Sequence, residues 1–141
     1  MGAFWSAGSL PPWAWVALGA ALAAPLVAVG RRLPERTERV GWAVGVVVAA
    51  LIYVGFTLAR SAPALAVAFE AGGVAVFGAI AGLGLRDRRW LAVAWLLHPL
   101  WDGLHHPGGF AYGPEWYVWA CLAFDVVVGV SLLANGTRGR A

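Results

Sequence analysis

Five apolar runs make up most of this chain, and each has about the 20 residues that an α-helix needs to cross a hydrocarbon core of ~30 Å. Hydrophobic residues account for 61% of the chain and charged residues for only 12%, about half the share in a soluble domain. The pattern predicts an all-α, integral membrane bundle of five transmembrane helices in a single domain (1–141), as a multi-pass protein of the plasma membrane. The spans are predicted near 9–30, 40–60, 62–84, 89–106 and 114–134.

Arginine is distributed unevenly among the segments that connect these runs. Segments 31–39, 85–89 and 135–140 contain nine of the ten arginines, and only Arg60 lies at the other end of the spans. Because cytoplasmic segments of membrane proteins carry the excess of basic residues, the N-terminus is predicted outside and the C-terminus in the cytoplasm. Pro63 suits the first turn of a helix, so a tight hairpin is predicted between the second and third spans.

Single residue types exclude several classes of protein. The chain has no lysine, so it cannot hold retinal through a Schiff base. Cys121 is the only cysteine, which excludes an intrachain disulfide and a redox-active thiol pair. The arginines lie in short clusters between apolar runs, a pattern that sets topology and does not build a nucleic-acid surface. The bilayer is therefore the expected partner.

Two glycine pairs have the spacing that permits close approach of transmembrane helices. They are Gly41 with Gly45 and Gly78 with Gly82. Packing within the bundle is the simpler role for both pairs, and formation of a homodimer through one of them is the alternative.

The segment HPLWDGLHH (98–106) places three histidines and an aspartate in an otherwise apolar run. His98, Asp102 and His105 are spaced i, i+4 and i+7, so a helix would present them on one face. An ionisable residue at the bilayer centre costs roughly 2.5–3.5 kcal/mol, which requires compensation by a partner, water or a metal. Imidazole with carboxylate suits divalent transition metals, and these three residues are predicted to bind Zn or Fe.

Three further polar residues lie at a similar depth in other spans, given a rise of about 1.5 Å per helical residue. They are Tyr53, Glu70 and Asp125, the last near the middle of its span. Polar residues of four helices thus meet in the outer half of the membrane, which predicts a His/Asp/Glu pocket that opens to the outer leaflet. Glu70 and Asp125 are the catalytic candidates, Glu70 as base or additional metal ligand and Asp125 as the residue that orients a histidine.

Other side chains near this pocket are candidates for binding a ligand, although each also has a simpler role. His105 and His106 precede a Pro-Gly-Gly segment and suit a solvated loop, and Glu115 suits the N-terminus of a helix. Tryptophan near a span end is typical of the interfacial aromatic belt. The ligand-binding candidates are Tyr53, Arg60, Trp101, His106 and Glu115.

Four short motifs contain most of these polar positions: EAGG (70–73), HPLWD (98–102), PEWY (114–117) and CLAFD (121–125). As a set, they resemble those of a family of small, uncharacterised multi-pass membrane proteins from prokaryotes. The resemblance extends from the second span to the last. It implies a membrane location and that these polar positions belong together, and it implies no activity.

Three functions remain open at this level. The first is a metal-dependent membrane enzyme, a hydrolase or an oxidoreductase, that acts on a lipid-like or small apolar substrate. The second is a non-catalytic protein that binds an ion or small ligand, including a proton-coupled carrier. The third is a structural subunit in which Arg60 pairs with Glu70 or Asp102, and His98 pairs with Asp125. Against transport, the inner halves of the spans lack the polar residues that would complete a path.

Overall fold

The computed structural model describes residues 10–104 and 112–135, and this part of the chain is all α-helical, as predicted. Four helices are long and apolar enough to cross a membrane, whereas the helix that carries His98 has 17 residues. Its role as a fifth span and the orientation of the termini stay predictions. The helices are α1 (Pro12–Gly30), α2 (Glu35–Ala59), α3 (Ala64–Gly84), α4 (Arg88–Leu104) and α5 (Glu115–Asn135).

Helix α2 begins about five residues before the predicted span, inside the arginine-rich segment. Pro34 is extended and precedes the first turn, and Glu35 and Glu38 lie in that turn, where carboxylates interact favourably with the helix dipole. Arg39 forms an ion pair with Glu35 and also donates to the carbonyl oxygen of Arg86 at 3.1 Å. These local interactions continue the helix beyond its apolar part.

The connection between α2 and α3 spans only residues 60–63, as the predicted hairpin requires. Ser61 has a φ of 50°, a left-handed conformation that is common where a helix ends. The N–H of Ala62 donates to the carbonyl oxygen of Thr57 at 3.0 Å. Pro63 then precedes the first residue of α3, so the chain reverses direction within one turn.

Helix α4 lies at the centre of the bundle. It packs against α5, α3 and α2, while α1 packs against α5 and α2 against α3. The buried residues of α4 include Leu91, Trp95, His98 and Asp102. The helix with the polar cluster therefore contacts three other helices, and their packing around His98 and Asp102 offsets the cost of placing polar groups in an apolar surrounding.

The closest helix contact does not use the glycine pairs singled out from the sequence. A Cβ at Gly19 would lie 2.0 Å from the carbonyl oxygen of Ala120, so α1 and α5 meet backbone to backbone at this point. Of the predicted pairs, Gly45 faces the indole of Trp95, with a Cβ distance of 3.0 Å. The other three members, Gly41, Gly78 and Gly82, face no atom of another helix within 4 Å.

Candidate functional site

His98 is the centre of a buried polar cluster between α4 and α5. Its side chain is fully buried, and its Nδ1 lies 2.8 Å from Oδ2 of Asp125. The same nitrogen lies 3.5 Å from Oδ1 of Asp102, one turn further along α4. A neutral imidazole has a single N–H to donate. Two buried carboxylates therefore compete for one ring nitrogen.

Tyr53 extends this cluster to α2. Its hydroxyl donates to Oδ1 of Asp102 at 2.6 Å, and its side chain is buried. Its ring packs against Phe56 and Tyr117, with centroid distances of 6.1 Å and 5.7 Å. The ring contacts and the hydrogen bond together restrain the carboxyl group of Asp102.

Cys121 completes a group of four potential metal ligands. One donor atom from each of His98, Asp102, Cys121 and Asp125 lies within 4.8 Å of all the others. Cys121 was not among the predicted site residues. Its signal in the sequence was its spacing of four residues from Asp125, which puts both side chains on one face of α5.

Three polar atoms of this group have no hydrogen-bond partner in the described part of the chain: Nε2 of His98, Oδ2 of Asp102 and Oδ1 of Asp125. An unsatisfied buried polar atom costs about 1–3 kcal/mol, and more where the group is charged. A ligand that accepts these lone pairs would remove that cost. Imidazole, thiolate and carboxylate are together the ligands of Zn²⁺ and Fe²⁺ sites.

Aromatic side chains cover the cluster on the α3 side. The ring of Phe77 lies 5.0 Å from that of His98, and Trp101 stacks on Phe69 with centroids 4.7 Å apart. A Cβ at Gly73 would lie 2.5 Å from the Trp101 indole, so the glycine allows this ring to lie flat on α3. Trp101, a predicted ligand-binding residue, is thus part of the packing between α3 and α4.

The structure separates the remaining predicted site residues from this group. Glu70 is buried on α3 but is not one of the four clustered donors. Arg60 follows the end of α2 and is exposed. Glu115 is an exposed residue in the first turn of α5, where its carboxylate accepts a hydrogen bond of 3.4 Å from Trp119 Nε1. His105, a predicted metal ligand, and His106 lie outside the described residues.

A second polar site, which the sequence did not predict, lies at the arginine-rich end of the bundle. Glu38 and Arg88 form an ion pair of 2.5 Å, with side chains 8% and 16% exposed. The pair connects the first turns of α2 and α4. It lies about ten residues of α4 away from His98, or roughly 15 Å along the helix, and so is separate from the cluster.

An apolar groove of about 480 Å³ connects these two regions. It runs between α1 and α2 along the side chains of Trp42, Trp95 and Phe124, from Glu38 at one end to Tyr117, Cys121 and Asp125 at the other. The sequence predicted a pocket that opens toward the outer leaflet. This groove instead leads from the cluster toward the arginine-rich end, and the outward opening stays a prediction.

Comparison with known proteins adds a family but no activity. No curated protein and no solved structure matches the chain. A family model does match residues 14–138, which include the five helices except for the first two residues of α1, and every residue of the cluster. The chain therefore belongs to the family of unknown function DUF6010.

Proposed function

We propose that this chain is an integral membrane metalloenzyme in which His98, Asp102, Cys121 and Asp125 hold a divalent transition metal and whose substrate is apolar and lipid-like. The observation that carries the proposal is the convergence of four donor atoms within 4.8 Å, three of them from buried residues. The unpartnered lone pairs in the same group support it. The groove that reaches Cys121 and Asp125 supports an apolar substrate.

Charge balance favours a cation over a purely structural role for the cluster. Asp102 and Asp125 face one imidazole, and even a protonated His98 would neutralise only one of the two carboxylates. The pairing of His98 with Asp125 that a structural role predicts is present at 2.8 Å, and it leaves the carboxylate of Asp102 to the hydroxyl of Tyr53. A divalent cation would balance the remaining charge, which is costly in an apolar interior.

Some residues of the site would bind the metal, and others orient its ligands or exclude water. A bound Zn²⁺ would supply Lewis acidity and an activated water, and a bound Fe²⁺ would supply redox chemistry. Tyr53 restrains the carboxylate of Asp102, as residues behind a metal ligand commonly do. Phe77 and the aromatic rings around Tyr53 exclude water from the cluster.

A second candidate function is a proton-coupled carrier. One observation favours it: hydrogen bonds and close polar contacts link Tyr53, Asp102, His98 and Asp125 in a row across three helices. The row lies between the middle of the bundle and the end opposite the arginine-rich segments, and the groove beyond it is apolar. A complete proton path would need further polar groups on that side, so we rank this function second.

Metal analysis of the protein purified in mild detergent, without chelator and with a tag that lacks histidine, tests the proposal. We expect about one equivalent of metal after repletion with Zn, Fe, Mn or Cu in turn, and loss of that metal in His98→Ala and Asp102→Ala. Ser131→Ala is the matched control because Ser131 is a buried polar residue that donates only to the carbonyl oxygen of Val128 in its own helix. Absence of metal after all four repletions would overturn the proposal. Proton flux in liposomes that depends on Asp125 in metal-free protein would establish the carrier instead.

A further inference from the structure

The groove between α1 and α2 has the dimensions of a binding site for one extended hydrocarbon chain. Its lining follows α2 from Glu38 to Ile52, which corresponds to about 21 Å at the rise of an α-helix. Its volume of about 480 Å³ is within the roughly 300–1,000 Å³ of ligand pockets. Both flanking helices are long and apolar enough to cross a membrane, so the open side of the groove faces the hydrocarbon of a bilayer.

Charge distinguishes the two ends of the groove. At the end formed by Gly30, Leu33 and Thr37, the chain places Arg31 and Arg32, both exposed. In the described part of the chain these two arginines form no ion pair, whereas Arg39 and Arg88 are paired with Glu35 and Glu38. Arginine is a strong ligand for phosphate. This end therefore suits the headgroup of an anionic lipid.

The depth of the cluster determines which part of such a lipid would meet it. The C-terminal end of α5 lies on the same side of the bundle as Arg31 and Arg32. Asp125 is ten residues before that end, and so about 15 Å away from it along the helix. Half of a hydrocarbon core of ~30 Å is the same distance. A lipid with its phosphate at the arginines would therefore place the distal half of an acyl chain, and not its ester groups, beside Asp125 and Cys121.

We propose that the groove holds one acyl chain of an anionic glycerophospholipid, with the phosphate at Arg31 and Arg32 and the distal methylene groups against Asp125 and Cys121. The inference rests on the proposed function, because it names the substrate class of the same site. It places the hydrocarbon chain, and not the ester groups, beside the four potential metal ligands. A substrate that presented an ester or an amide to the cluster would have to bind in the opposite direction.

Gly41 provides a way to block the groove without disturbing the bundle. It lines the groove, and a Cβ at this position would meet no atom within 4 Å. Gly41→Leu should therefore fill the groove and leave the helix contacts in place. Gly55 is on the same helix, is equally open and does not line the groove, so Gly55→Leu is the matched control.

Photo-crosslinking tests the proposal in vesicles of phosphatidylethanolamine and phosphatidylglycerol. Two phosphatidylglycerol probes are compared, one with a diazirine near the terminal methyl group of an acyl chain and one with it near the ester. The distal probe should label peptides that contain Ile52 and the stretch from Cys121 to Asp125, and the proximal probe should label those around Leu33 and Gly41. Gly41→Leu should reduce both signals several-fold, and Gly55→Leu should leave them unchanged.

Three results would overturn the proposal. The first is labelling of the groove that is no stronger than labelling of the exposed residues Leu65 and Val76 of α3. The second is labelling of the Leu33 and Gly41 peptides by the distal probe and of the peptide from Cys121 to Asp125 by the proximal probe, and the third is competition by an isoprenyl phosphate but not by phosphatidylglycerol. The experiment does not depend on the metal, because labelling is measured on metal-free and metal-loaded protein alike. Gly41→Leu is expected to lose labelling and keep its metal, because Gly41 is not one of the four potential ligands. Loss of metal with labelling retained would refute the metalloenzyme and leave the lipid site intact.

Discussion

Nδ1 of His98 lies 2.8 Å from Oδ2 of Asp125, although the two residues are on different helices and 27 positions apart in the chain. Such a contact fixes both the orientation of the imidazole ring and the register of α4 against α5. It also accounts for only one of the polar groups present, since Nε2 of His98 and Oδ1 of Asp125 have no hydrogen-bond partner among the residues described. The pair thus holds α4 against α5 and leaves two polar atoms that a further ligand could bind.

Removing His98 alone should destabilise the bundle more than removing the whole pair. His98→Leu leaves Asp125 and Asp102 buried without the imidazole between them, and breaking a buried pair in this way costs about 3–5 kcal/mol. The double variant His98→Leu with Asp125→Leu removes one of the stranded carboxylates and should recover part of that loss. Both should be devoid of metal. The free energy of unfolding in mild detergent, measured with metal analysis on the same preparations, checks this order; a double variant less stable than His98→Leu would contradict it.

Tyr53→Phe should weaken metal binding without abolishing the fold. The substitution keeps the buried ring and removes the hydroxyl that donates to Asp102 at 2.6 Å, so the carboxylate loses its restraint. Residues that orient metal ligands typically contribute about 10–100-fold in affinity, and a decrease of this size is expected in a competition titration with a chelator of known affinity.

The control for Tyr53→Phe is Thr57→Val on the same helix. Thr57 is also fully buried, but its hydroxyl donates to the carbonyl oxygen of Val54 within α2 at 2.8 Å. Its removal should leave metal affinity unchanged. Equal effects of the two substitutions would mean that the loss reflects general loosening of α2 and not the contact with Asp102.

The ion pair at the arginine-rich end should matter more for stability than the pair beside it. Glu38→Ala breaks a largely buried contact with Arg88 that joins α2 to α4, and a hydrogen bond to a charged group of this kind contributes about 1.5–3 kcal/mol. Glu35→Ala removes an exposed i,i+4 pair with Arg39, for which less than about 1 kcal/mol is expected. Thermal unfolding of the two variants in the same detergent distinguishes them, and similar losses would show that the Glu38 pair is not effectively buried in the membrane-bound protein.

The sequence predicted the parts of the site that depend on helical periodicity, and it failed where the order of helices in space decides. His98 and Asp102 share a face because they are four residues apart on α4, a local property. Their proximity to Asp125 could be anticipated only as a similar depth. That Cys121 joins them, and Glu70 does not, depends on how far α5 and α3 are rotated about their own axes. That rotation follows from side-chain and backbone packing, such as Gly73 under Trp101.

The groove was not predicted for the same reason. It exists because α1 packs against α5 while α2 packs against α3, which leaves the space between α1 and α2 open over part of their length. No periodicity in either helix specifies those neighbours. The early start of α2 was missed for a different reason. Its first turn is polar, so hydropathy placed the beginning of the predicted span about five residues after the helix begins.

Topology offers a prediction that is independent of the site. If the arginine-rich end is cytoplasmic, a cysteine introduced at Leu33 should react with a membrane-impermeant maleimide only after cells are permeabilised. Ser61, in the connection between α2 and α3, should react as a cysteine in intact cells. Both positions are exposed, and the background is Cys121→Ser. Labelling of Leu33→Cys, but not of Ser61→Cys, in intact cells would reverse the assigned orientation.

Gly19 should be the least replaceable glycine in the bundle. Gly19→Ala would place a methyl group 2.0 Å from the carbonyl oxygen of Ala120, and because that atom belongs to the backbone, α1 must move away from α5. Overpacking of this kind costs about 1–3 kcal/mol, so the thermal midpoint should fall. Gly55→Ala has open space around the new methyl group and should be neutral or stabilising by roughly 0.5–1 kcal/mol, the difference between the two residues in a helix. Since α1 also forms one wall of the groove, Gly19→Ala should lower acyl-chain labelling as well. If Gly19→Ala changes neither the thermal midpoint nor the labelling, the contact between α1 and α5 is looser than the structure has it.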